Sequence, residues 1–187
     1  MSGLMALIGV GLGSLLSSRA QARAWERDEM RRWRDVRRTA YGDFLAAVRQ
    51  YRSYVTGPGS RVNVSLHPDG RRLVPGIGQE DSEYQEKMEA AFAAVQMVAQ
   101  DQDPVDAAHL LTRMARRTAV ASAIPGAEAV REDIEQRFFS AEHDFLIAAR
   151  RSLDLRPTSI AFTRDGLGRV DSRLVEIYQG QLGSGDT

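Results

Sequence analysis

Between residues 33 and 55 the apolar positions Trp33, Ala40, Phe44, Val48, Tyr51 and Val55 recur at steps of three, four and seven, so they share one face of a helix. Thr56-Gly57-Pro58-Gly59 stops that helix, and residues 19–55 read as one long element. The helical period then breaks. Val62, Val64 and Leu66 alternate, His67-Pro68-Asp69-Gly70 is a good turn, and Leu73 and Val74 follow. Residues 60–79 therefore read as a small hairpin or, with Pro75, Gly76 and Gly78 close behind, equally as a loop. A second helix is predicted from about Ser82 to Gln102, with Tyr84, Met88, Ala91, Val95 and Ala99 as its stripe and Ser82 and Gln85 in a capping-box spacing. Asp103-Pro104 ends it and starts a third helix with the stripe Val105, Ala108, Leu111 and Ala115. After Pro125-Gly126 comes the most regular stripe: Ala127, Val130, Ile134, Phe138, Ala141, Phe145, Ala148 and Ser152. Acids near its start and Arg150 and Arg151 near its end suit the helix dipole.

The pattern predicts an all-α fold, an antiparallel helical bundle with a long first helix and an N-terminal apolar helix. Three segments follow: 1–18, an apolar segment; 19–155, the bundle with its basic first helix; and 156–187, a tail whose short apolar pattern is Val170, Leu174 and Ile177.

Residues 1–18 carry no charged side chain. At about 1.5 Å per residue they would extend about 27 Å, marginal against a hydrocarbon core of about 30 Å. A secretory signal would need basic residues ahead of the apolar run. A phosphate loop would need a preceding strand and a full Gly-x-Gly-x-x-Gly, which Gly9, Gly11 and Gly13 do not make. A packed core helix and a membrane anchor remain, and the anchor better suits the Arg cluster that follows. Gly9 and Gly13 form Gly-x-x-x-Gly, a spacing that lets two membrane helices approach and points to a homodimer.

The net charge is zero, but from Arg19 to Arg38 there are eight Arg against four acids. Beside a membrane segment, Arg19, Arg23, Arg27 and Arg31 would meet anionic lipid and keep the body in the cytoplasm. Ion-paired surface is the bland alternative, and zero net charge makes a nucleic-acid partner the weakest of the three. Arg37 lies about 40° from Trp33 and about 60° from Ala40, inside the apolar stripe. It must snorkel or pair, with Asp101 or Asp103 of an antiparallel second helix as expected partners.

No catalytic chemistry is visible. The absence of cysteine removes disulfides and thiol chemistry. His67 falls in the turn, His143 opposite its helix's stripe, and His109 beside a stripe as a partly buried structural group. One Asp-x-x-His, Asp106 with His109, is not a bundle metal site. Glu128, Glu132, Glu135 and Glu142 read as a solvated face, and no nucleophile motif is present. No cofactor is implied.

The uncharged start, the Arg-rich, Trp-containing helix, RRTAYGDFLAAV, MEAAFAAVQMVA, the Pro-started helix and FLIAARRSL together resemble small membrane-anchored helical proteins common in actinomycetes, over about residues 1–155. The resemblance implies architecture and compartment and brings no catalytic residues. The expected function is a non-enzymatic, membrane-tethered interaction or scaffold module, with membrane lipid and a further protein as partners. The alternative is a soluble helical regulatory or nucleic-acid-associated protein in which residues 1–18 pack as a core helix.

Overall fold

In the computed structural model residues 2–78, 82–156, 174–177 and 179 are described, with the backbone alone for 2–20, 22–24 and 77. The elements are α1 (Ser2–Thr56), β1 (Val62–Leu66), β2 (Leu73–Ile77), α2 (Ser82–Val98), α3 (Gln102–Ala123) and α4 (Glu128–Ser152). The chain forms two compact units, Met1–Arg37 and Arg38–Thr187, and α1 contributes to both. The uncharged start and the Arg-rich segment thus belong to one unbroken helix.

Within the second unit the helices form a bundle whose directions follow from pairs along their lengths. Between α1 and α4, Tyr41 accepts a hydrogen bond from Ser152 at 3.2 Å, Arg49 meets Glu142 at 2.6 Å, and Arg52 meets Glu135. Numbers rise on one helix as they fall on the other, so the two are antiparallel. The ring pairs Phe44–Phe92 and Tyr54–Tyr84 give the same sense for α1 and α2. Arg116–Glu89 and Phe92–His109 give it for α2 and α3, and Arg151–Asp103 and Arg131–Ala121 for α3 and α4. Successive helices run up, down, up, down.

Most of the stripes read from the sequence enter the core, with Tyr84 exposed and with Tyr41, Met114, Val120, Ile124 and Leu153 added from outside them. Phe44, Val48, Tyr51, Val55, Met88, Val95, Ala108, Leu111, Ala115, Val130, Ile134, Phe138 and Phe145 are all buried. Each fully buried large apolar side chain of this kind contributes about 1.5–3 kcal/mol relative to exposure. Leu174, in the helical turn at 174–177, joins the same core, whereas Val170 lies outside the described residues. Trp33 continues the α1 stripe but lies in the first unit and is 52% exposed. Periodicity tells which side of a helix is apolar and not how far along it that side is covered.

One connection differs from the sequence reading, and another decides between its two alternatives. α2 ends at Val98 and α3 begins at Gln102 with Asp101 as N-cap, so the break precedes Asp103-Pro104. Pro104 sits in the first turn, where N–H groups lack intrahelical acceptors anyway and a missing donor costs little. Between the hairpin and loop readings the structure has the hairpin, over residues 62–77: β1 and β2 are antiparallel, with Val62 opposite Ile77, Val64 opposite Pro75 and Leu66 opposite Leu73. A two-stranded sheet is all edge and tolerates Pro75. Gly70, at φ 65°, makes its turn, and Gly126, at φ 78°, reverses the chain between α3 and α4; both conformations strain any side chain with a Cβ. The hairpin packs against α3 through both of its strands.

Candidate functional site

In the first unit the two tryptophans lie on one side of α1. Relative to Trp25, at about 100° per residue, Arg32, Val36, Glu29 and Trp33 fall within about 80°. Arg27, Arg31 and Arg34 fall on the opposite side, about 120–180° away. Trp25 is 76% exposed, Met30 62% and Val36 46%. With Asp28, Glu29, Arg32 and Trp33, the residues Trp25 and Val36 line a shallow surface depression. Arg31 and Asp28 form an ion pair at 3.5 Å, both largely solvated, which contributes at most about 1 kcal/mol. One side of the helix therefore presents Trp25, Trp33 and Val36 among Asp28, Glu29 and Arg32, and the other presents Arg27, Arg31 and Arg34 together with Met30.

Among the membrane-surface residues named from the sequence, Arg27 and Arg31 are exposed. The side chains of residues 1–20 and 22–24 are not described, so the expectations placed on Arg19 and Arg23, on the Gly9–Gly13 pairing and on residues 1–18 as an anchor fall outside what is described. Among the described residues no helix is long and apolar enough to cross a membrane. Arg37 is buried, 8% exposed, and its Nε donates to the Trp33 carbonyl at 3.4 Å, while Asp103 is engaged by Arg151 at 3.3 Å.

The second unit holds an arrangement that sequence reasoning missed. A cavity of about 260 Å³ opens between the hairpin and α3, lined by His67, Arg72, Leu73, Val74, Pro75, Arg113, Arg116 and Arg117. The hairpin side is pinned at its turn. The Arg71 amide donates to Asp69 Oδ1 at 3.0 Å, and the other carboxylate oxygen of Asp69 meets His67 Nδ1 at 3.0 Å and Arg72 Nε at 3.3 Å. The Arg71 amide, then the neighbouring His67 and Arg72, hold the Asp69 carboxyl below its ordinary pKa. Arg72 Nη2 lies 3.1 Å from His67 Nε2. A guanidinium only donates, so Nε2 accepts and the ring hydrogen sits on Nδ1, facing Asp69. The Asp69 amide, 3.3 Å from Nδ1, is the weaker contact in that tautomer.

On the α3 side, Arg116 is held by Glu89 of α2 at 2.8 Å, Arg117 is buried at 9% exposure, and Arg113 is exposed. Tyr51 of α1 lies within electrostatic reach of Arg116 and Glu89; burial pushes its phenol above the ordinary tyrosine range, and its hydroxyl has no hydrogen-bond partner among the described residues. The signal in the sequence was the spacing of Arg113, Arg116 and Arg117, one helix face. It says nothing of the hairpin that faces it.

Two expectations change. Glu142 is not solvated: it is 9% exposed and bound by Arg49, and Glu135 is bound by Arg52, because α1 lies along that flank of α4. His109 is exposed, not partly buried, with its ring 6.0 Å from Phe92. A larger open groove between α3 and α4 carries Asp103, Asp106 and Asp144 together with Arg151. Among the described residues no group of three or more His, Cys, Asp or Glu is placed to hold a metal ion. Comparison of the chain with known protein families, with curated proteins and with solved structures finds no match.

Proposed function

We propose that the chain is a non-enzymatic, membrane-tethered helical interaction module, anchored through residues 1–18 with its bundle in the cytoplasm. The observation that carries this reading is the two-sided first unit, with Trp25, Trp33 and Val36 on one face of α1 and Arg27, Arg31 and Arg34 on the other. A helix with aromatic residues on one side and Arg on the other suits an anionic lipid surface: Trp favours the interfacial layer, and each Arg near such a surface contributes about 1 kcal/mol. Continuity supports the same occupant, since the uncharged residues belong to the same helix. Gly9 and Gly13 would let two anchors pair, and the bundle would present its outer surface to a protein partner. The likeness to membrane-anchored actinomycete proteins points the same way.

Fractionation tests the tether. The full chain is expected in the membrane pellet, released by detergent and not by high salt, with residues beyond Arg19 protected from protease added outside intact cells. A chain lacking residues 1–18 is expected in the supernatant. A full chain already soluble and monomeric without detergent, or cleaved from outside, would contradict the proposal.

A further inference from the structure

We propose that the cavity between the hairpin and α3 binds the phosphate group of a small phosphorylated molecule. Its lining gathers four guanidiniums and an imidazole from two segments far apart in sequence: His67 and Arg72 from the hairpin, Arg113, Arg116 and Arg117 from α3. Arg at i, i+3 and i+4 repel one another on a helix, so this grouping does not serve the stability of α3. No carboxylate stands among the described lining residues. Two acids that pair with lining residues are already committed. Asp69 accepts from the Arg71 amide, His67 and Arg72, and Glu89 accepts from Arg116 and Gln85.

Those commitments also hold donors in place. Asp69 fixes Arg72 and His67 at the turn, and Glu89 fixes Arg116, so part of the ordering cost of binding is met before a ligand arrives. Arg113 is exposed and has no partner among the described residues, which leaves its fork of donors for an incoming anion. The geometry favours phosphate over carboxylate. A phosphate monoester offers three terminal oxygens at tetrahedral angles and close to two negative charges, and it can receive forks from several directions at once. Leu73, Val74 and Pro75 add an apolar wall for the organic part. At about 260 Å³ the cavity is small for a ligand site and limits that part to a small group.

This inference is independent of the membrane reading, which concerns the other unit. The monoester phosphate could reach the cavity on a free molecule or on a lipid headgroup, and the experiment separates these. Thermal melts and calorimetric titrations of the full chain would use inorganic phosphate and glycerol 3-phosphate, with chloride at matched ionic strength as control. Titrations of the detergent-solubilised full chain would compare short-chain phosphatidic acid, a monoester, with short-chain phosphatidylglycerol, a diester.

The expected result is saturable binding of the soluble monoester, at least tenfold weaker in Arg113→Gln, a variant whose unliganded melt should match the parent because Arg113 is exposed and makes no hydrogen bond or ion pair among the described residues. Binding confined to short-chain phosphatidic acid and weakened in Arg113→Gln would keep the site and name the headgroup as the source. Absence of monoester binding, binding unchanged in Arg113→Gln, or a preference for diesters such as phosphatidylglycerol or an oligonucleotide would overturn the proposal.

Discussion

Phe44→Ala is expected to destabilise the bundle by about 3–5 kcal/mol, a large part of the stability of a domain this size. Phe44 is fully buried, with ring centroids 5.0 Å from Phe145 and 6.1 Å from Phe92, so one side chain joins α1 to both α4 and α2. Phe145 is itself held edge-on by Tyr41 at 5.9 Å. Removing the Phe44 ring leaves a cavity whose walls are tied to three helices and relax little, which places the cost toward the upper end. Phe139→Ala is the control: that ring is 45% exposed and lies 4.6 Å from the Arg52 guanidinium, so its loss should cost about 1 kcal/mol. Urea unfolding of the full chain in detergent reads both. A Phe44→Ala cost below about 1 kcal/mol would mean that the two helices do not close on this ring.

The second large effect is electrostatic. Arg49 places Nε at 2.6 Å and Nη2 at 2.5 Å from the same carboxylate oxygen of Glu142. The partners are not equally solvated: the Arg49 side chain is 62% exposed and that of Glu142 12%. Arg49 alone would be solvated by water, but Glu142 alone would be a carboxylate with little access to it. Arg49→Ala should therefore cost about 2–3 kcal/mol, below the range for fully buried pairs because water reaches the arginine side. Glu142→Met should cost less, within about 1 kcal/mol, since it removes the charge that needs a partner and keeps the side chain's bulk. Adding Arg49→Ala to Glu142→Met should then change little. A double-mutant cycle on melting temperature checks this, and equal costs for the two single changes would contradict the asymmetry.

The helical elements were legible because burial in a bundle imprints a period on the sequence. Every residue of the fourth stripe from Ala127 to Phe145 is buried where the spacing placed it. The hairpin was half legible: Val62, Val64 and Leu66 alternate and His67 to Gly70 turns, but Pro75 and Gly76 are poor strand residues that only a two-stranded edge accepts. The start of α3 was misplaced by a few residues because Pro is tolerated throughout a first turn. What could not be read was register between distant elements. Arg49 and Glu142 are separated by 93 positions, and neither residue's local pattern names the other. The same holds for the cavity, whose two walls are separate elements. The aromatic character of the first unit was visible, but its exposure was not, because Trp33 continues the stripe of buried residues that follows it.

Trp25 and Trp33 are the chain's two tryptophans, and both lie on the same side of α1 in the first unit, so tryptophan emission reports on that side alone. The most direct measurement is therefore tryptophan emission of the full chain reconstituted into anionic vesicles, with quenchers placed at known depths in the lipid. The account predicts emission shifted to the blue, quenching strongest for groups at the headgroup level, and weaker quenching in zwitterionic vesicles or after Arg27, Arg31 and Arg34 are changed together to Gln. Emission at water-like wavelengths, quenched by iodide and untouched by lipid-borne quenchers, would contradict it.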